Sequence, residues 1–240
     1  MEPLGESTFS HHSLPVMRKL IPLCLIGLFS LSLWLFVACG GGTTQKRKNP
    51  TMVSGPTYSM KGILRSVNYQ KNLIPPGTRS RRKMRPMRPR YITIHSTQNY
   101  RPGAGAYTHM LALNRGKLGV SWHFTVDDKL TIQHLPTNEQ GVHADFDGPG
   151  NKYSIGIEMC ENRGNNRTIT IDKTARLTAF LMHRYRIPLK NVVPHYHWPR
   201  YGKRPPNKNC PHFLLDGGRP GPRWAQFKRK VNRYYRSISR

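Results

Sequence analysis

No aspartate or glutamate occurs between Ser7 and Val126, so any structure that forms there does so without carboxylates of its own. Lys and Arg number 39 against 11 Asp and Glu, a formal net charge of +28, and all but two of the acids lie from Asp127 onward. The excess is therefore concentrated in the N-terminal half, although the C-terminal segment is basic too. The same excess implies a polyanionic partner, whether nucleic acid, an anionic membrane or an anionic wall polymer, and composition alone does not choose among them. With 240 residues, 37% of them hydrophobic, and 21 Gly and 20 Pro, one folded domain with irregular extensions is expected.

The N-terminal end reads as a targeting device. Leu20 to Ala38 is uncharged and apolar, follows Arg18 and Lys19, and ends at Cys39 and three glycines. This is the signal-peptide pattern of basic start, apolar centre and small residues at the cut. Leu35-Phe36-Val37-Ala38-Cys39 resembles a bacterial lipobox in which Cys39 is lipidated, although Phe36 stands where that box usually has Leu. Met17-Arg18-Lys19 looks like a natural start, which makes residues 1–16 an upstream extension. An uncleaved membrane helix is the alternative. Either way the body is exported and tethered, and nucleic acid is not expected as a partner.

From 40 to 89 the chain is Gly, Thr, Pro and basic residues, ending in Arg79 to Arg90 (RSRRKMRPMRPR). This composition predicts a disordered basic linker, with room for a short ordered stretch near Lys61 to Leu73. It serves either as an electrostatic tether or as a solvated spacer. Of the cysteines Cys24, Cys39, Cys160 and Cys210, only the last two fall in the body, so there is no disulfide framework.

The texture changes at about residue 90. Tyr91 to His95 alternates with strong β-formers and predicts a strand. Ala104 to Asn114 predicts a helix with Gly116 as its stop. Trp122 to Val126 and Leu130 to Leu135 flank Asp127-Asp128-Lys129 as a hairpin, and Ser154 to Met159 is a further strand. Thr174 to Tyr185 and Trp224 to Tyr235 predict helices, the second a basic C-terminal helix within 217–240 that packs on or extends the domain. The expected fold is α/β, a mixed central sheet flanked by helices over 90–216.

His95 ends the first strand, His195 lies in Val192-Val193-Pro194-His195-Tyr196-His197-Trp198, and Cys210 lies in Lys208-Asn209-Cys210-Pro211. Two imidazoles and a thiolate make a zinc set with a fourth position left for water. Taken singly, each has an ordinary structural reading as a surface His or a buried Cys.

Five ordered blocks add weight: Tyr-Ile-Thr-Ile-His-Ser-Thr (91–97), Ser-Trp-His-Phe-Thr-Val-Asp-Asp (121–128), Ser-Ile-Gly-Ile-Glu (154–158), Val-Val-Pro-His-Tyr-His-Trp (192–198) and Lys-Asn-Cys-Pro (208–211). Together they resemble the N-acetylmuramoyl-L-alanine amidases that include T7 lysozyme-like enzymes and peptidoglycan recognition proteins. The resemblance implies Zn2+ held by His95, His195 and Cys210, with His197 the rival for the second position. It implies Glu158 as general base and Lys208 as stabiliser of the developing oxyanion. Trp122 stands where T7-like members have a catalytic Tyr, which shifts weight to Glu158. The implied reaction is hydrolysis of the bond between N-acetylmuramic acid and L-alanine in peptidoglycan, by a monomer. The alternative is a non-catalytic peptidoglycan-binding module of the same fold. The lipobox points to the cell envelope, with the periplasmic face of an outer membrane favoured.

Among the other residues, His123 and His143 either orient ligands or are structural. Cys160 is expected buried at a strand end, and His109, His134 and His183 on the surface or a helix face. His11 and His12 carry no reading.

Overall fold

The computed structural model describes residues 57–81, 83–199 and 208–239. The signal segment, the lipobox with Cys39 and the first part of the linker lie outside the described residues. The apolar alternation of two six-residue segments organises the rest. Tyr91–Ser96 (β2) and Ser154–Met159 (β5) pair in parallel, with Ile92 beside Ile155, Ile94 beside Ile157 and His95 beside Glu158. Because side chains alternate across a strand, the isoleucines share one face while Thr93, His95, Gly156 and Glu158 share the other.

Four shorter strands complete the sheet: Tyr69–Lys71 (β1), Phe124–Val126 (β3), Thr131–Gln133 (β4) and Val192–Pro194 (β6). The order is β1-β4-β3-β5-β2-β6, with β3 and β4 antiparallel and every other pair parallel. The expected mixed sheet and the hairpin are therefore both present.

The apolar face is covered by Met60–Ser66 (α1), Arg167–Tyr185 (α4) and Pro222–Ser237 (α5), whose Ile63, Leu177, Leu181, Trp224, Phe227 and Val231 pack with the sheet isoleucines. Ala106–Asn114 (α2) packs at the hairpin end, placing Ala106 and Met110 against Ile132, and Gly116 follows it at φ +66°. The short helix Pro149–Tyr153 (α3) precedes β5.

α4 begins at Arg167, seven residues before the sequence reading. Thr168, Ile169, Thr170 and Ile171 are β-branched and weak helix formers. Asn166 offsets this by accepting the Ile169 N–H (3.1 Å). Thr170, Thr174 and Thr178 each return their hydroxyl to the carbonyl four residues earlier, so their burial leaves no hydroxyl unmet.

The linker reading over 40–89 needs correction from residue 57 onward. Ile63, Val67, Ile74 and Met87 are buried, and Arg81 grips Glu139 through two nitrogens while donating to the Ile74 carbonyl. Tyr58 N–H bonds to Ser237 O (2.8 Å) and Ser239 N–H to Tyr58 O (2.9 Å), which ties the segment to the end of α5. Basic composition hid this because a few apolar residues, each well placed, suffice to anchor such a segment.

Candidate metal centre

Three parallel strands, β2, β5 and β6, end on the same edge of the sheet, where open α/β sheets present their ligand sites. His95 and Glu158 are the next-to-last residues of β2 and β5, and His195 opens the turn of 3-10 helix that follows β6. Cys210 reaches the same place on a loop whose carbonyl accepts the Tyr196 N–H (3.0 Å). The donor atoms of His95, His195 and Cys210 all lie within 4.8 Å of one another, and all three residues are buried. His95 Nδ1 is 2.9 Å from His195 Nδ1 and 4.0 Å from Cys210 Sγ, while Glu158 Oε1 stands 3.9 Å from His95 Nδ1.

The hydrogen bonds behind the imidazoles set their tautomers. The Ser154 carbonyl accepts from His143 Nε2 (3.2 Å), so His143 Nδ1 carries a lone pair. His95 Nε2, 3.0 Å from that lone pair, is then the donor, and His95 Nδ1 is left with a lone pair of its own. The Ala144 carbonyl, 3.0 Å from His195 Nε2, imposes the same tautomer there. Two lone pairs therefore face each other across 2.9 Å, an arrangement that a cation shared with the Cys210 sulfur resolves. Burial, aided by the neighbouring His195 and His143, holds His95 well below its ordinary pKa and so keeps it neutral. The donor set thus fits a metal that takes nitrogen and sulfur.

Glu158 is pushed up to about 8 by burial, against the opposing charge of Lys208 and with the help of Glu161. Its Oε2 is buried without a hydrogen-bond partner among the described residues. Burial, with the negative charge of Glu158, raises the Cys210 thiol to about 12, while the Ser96 N–H points at its sulfur (3.4 Å). A dication among the three donors works in the opposite direction on both groups, favouring thiolate and carboxylate. Lys208 borders a cleft of about 210 Å³ with His143, His195, Val120 and Val142.

His143 is held as firmly as the ligands it supports. Its backbone N–H and that of Ala144 both donate to the buried Asn151 side chain (2.9 and 2.8 Å), and Asp145 fixes Asn151 through its backbone N–H (2.8 Å). A Cβ on Gly156 would stand 2.8 Å from the His143 ring, so that strand position has to be glycine. Sequence reading missed Asn151, Asp145 and Gly156; the available signal was Asp145 three residues before Gly148-Pro149, a helix-start pattern.

The remaining candidates separate clearly. His197 is exposed and meets Trp198 edge-on (4.7 Å between ring centres), outside the donor group. Trp122 donates to Thr125 Oγ1 (2.7 Å) and does not border the cleft. His123 is buried, accepting from Gly156 N–H (3.0 Å) and donating to Glu139 O (2.8 Å), a structural role. His134, expected on the surface, is fully buried, with Nε2 2.8 Å from Thr125 Oγ1. It directly follows β4 and its carbonyl accepts the Ile74 N–H (2.9 Å), a pairing that the sequence did not reveal. His109 and His183 are partly buried, and Cys160 is buried just past β5 as expected.

A family profile described as N-acetylmuramoyl-L-alanine amidase matches residues 85–213. The N-acetylmuramoyl-L-alanine amidases XlyA and CwlH of Bacillus subtilis (strain 168) are each 42% identical, over 163 and 132 residues, or 68% and 54% of this chain and 50% of each relative. The chain therefore spans about half the length of these curated relatives. The solved catalytic domain of XlyA superposes with a TM-score of 0.61 at 42% identity, over 69% of this chain and 99% of that one. The structure of PlyL gives 0.57 at 32% identity, over 68% and 96%.

Proposed function

The chain belongs to the N-acetylmuramoyl-L-alanine amidase family, and from that premise we propose that it is a zinc hydrolase cutting the amide bond between N-acetylmuramic acid and L-alanine in peptidoglycan. The observation that carries this reading is the meeting of His95, His195 and Cys210 within 4.8 Å, with Glu158 3.9 Å from His95 and with His195 and Lys208 bordering a cleft.

His95 and His195 would hold zinc through Nδ1, and Cys210 through its thiolate. When bound, the ion lowers the pKa of water to about 7 and polarises a carbonyl. The chain's own residues do the rest. Glu158, as carboxylate, accepts the proton of the attacking water on the oxygen that lacks a protein partner, then returns it to the departing alanine nitrogen. The Lys208 ammonium, near enough to act on the charge of Glu158, is placed to stabilise the oxyanion that forms on the former carbonyl oxygen. His143, Ala144 and Ser96 hold the three donors in register.

We also assign the chain to the cell envelope, tethered through the Leu20–Ala38 segment or a lipidated Cys39, with the periplasmic face of an outer membrane favoured. The support is sequence alone. Metabolic labelling with a fatty acid that is lost in Cys39→Ser separates lipidation from an uncleaved helix.

The test of the reaction is product analysis by mass spectrometry after the protein meets purified peptidoglycan. Free stem peptides beginning with L-alanine, absent when a chelator is added, are expected. Retention on the wall with no such peptides, at confirmed zinc content, identifies a binding module instead.

A further inference from the structure

One cavity of the folded unit is remote from the donor cluster. It measures about 490 Å³ and opens between α1, the first half of α4 and the turn joining β3 to β4. That places it on the helix-covered face, whereas His95 and Glu158 occupy the other. Five cationic side chains line it, namely Arg65, Lys129, Lys173, Arg176 and Lys230, against the carboxylates of Asp128 and Asp172.

The pairing inside the cavity is uneven. Asp172 is fully engaged: it takes Lys230 Nζ (2.9 Å), Arg176 (2.9 Å) and the Tyr234 hydroxyl (2.7 Å). Asp128 spends one oxygen on the Asn166 N–H (3.2 Å). Lys173, Lys129 and Arg65 have no carboxylate within ion-pair distance among the described residues. Lys173 is the unusual one, since it is only 6% exposed yet borders the cavity. Lysine is seldom this buried, and its ammonium is left to the water of the cavity, where an anion can take the place of that hydration. Burial accordingly lowers its pKa, against the distant pull of Asp127 and Asp128. Thr168 and Ile169, in the first turn of the 19-residue α4, line the same cavity, so the positive end of that helix faces it too.

We propose that this cavity is a second binding site, for a phosphate-bearing anion, with Lys173, Lys129 and Arg65 as its receiving cations. A tetrahedral anion can meet several donors from different elements at once, and Arg65 offers a fork that matches it. The volume admits a phosphate with part of its carbon skeleton. Such chemistry occurs in a phosphodiester polymer and in a phospholipid headgroup.

The test uses the full chain and inorganic phosphate, with binding measured by equilibrium dialysis at constant ionic strength. Saturable binding is expected, with Kd raised at least ten-fold in Lys173→Met and several-fold in Arg65→Gln, while wall hydrolysis is unchanged in both. Arg65 is exposed, so its variant keeps the test open if Lys173→Met fails to fold. Equal Kd in wild type and Arg65→Gln and Lys173→Met, or no saturable binding, overturns the proposal and leaves the +28 charge as a diffuse attractor. Poly(glycerol phosphate) and phosphatidylglycerol vesicles are then compared. Whichever loses affinity in the variants names the source, and loss in neither overturns the proposal.

Discussion

His143 is not one of the three donors, yet the donor cluster depends on it. Its ring receives the His95 Nε2 hydrogen and hands its own to Ser154, and through that relay the lone pair on His95 Nδ1 points toward the His195 and Cys210 donors. Partners of this kind typically carry a 10–100-fold effect on metal affinity. His143→Phe is therefore expected to weaken zinc binding by about that factor, measured by competition with a chromophoric chelator. Gly156→Ala should do the same by displacing the ring, given the 2.8 Å approach of its Cβ. Unchanged affinity in both would remove His143 from the site. The donors themselves were legible in the sequence, since His95 ends an obvious strand and the ordered blocks fixed the rest. Asn151 and Gly156 were not, because their importance lies in what approaches them from elsewhere in the chain. A single sequence displays no such proximity.

At the scale of elements, the strands that position the site were the most legible part, since alternation in Tyr91–Ser96 and Ser154–Met159 forces His95 and Glu158 onto one face. The start of α4 was not, and α1 and β1 were anticipated only as a short ordered stretch near Lys61 to Leu73 with no element assigned. Their sequences are β-branched or basic, and they are held by caps and tertiary packing rather than by propensity. Ile63 makes the point testable. It is fully buried between α1 and the main core although it lies in the segment read as linker. Ile63→Ala is expected to cost roughly 2–5 kcal/mol in denaturant unfolding. A loss within about 0.5 kcal/mol, the range of surface substitutions, would return residues 57–67 to the linker.

The whole molecule combines a body rich in buried neutral histidines with a strongly cationic chain. Burial lowers His123 to about 4 and His134 to about 3. Both folded values lie below the ordinary 6.5, so the unfolded state takes up protons first as pH falls. Stability is whole above pH 6.5 and is lost on acidification towards the folded values. The loss is roughly 2 kcal/mol per histidine between pH 6.5 and 5. Urea unfolding in chelator, which keeps metal release out of the comparison, should show it; a flat profile over that range contradicts the buried neutral assignment. Charge segregation was plain in the sequence, but the cavity that gathers Arg65, Lys129 and Lys173 from three separate segments became visible only in the fold.

The most direct test of the central claim is a zinc titration of metal-stripped protein, with release of L-alanine stem peptides followed at each addition. Activity is expected to rise to a plateau at one zinc per chain. Glu158→Gln should bind that zinc but turn over about 10²–10⁴-fold more slowly, and Cys210→Ser should bind it far more weakly. Peptide release that does not depend on zinc, or full-affinity zinc binding in Cys210→Ser, contradicts the account.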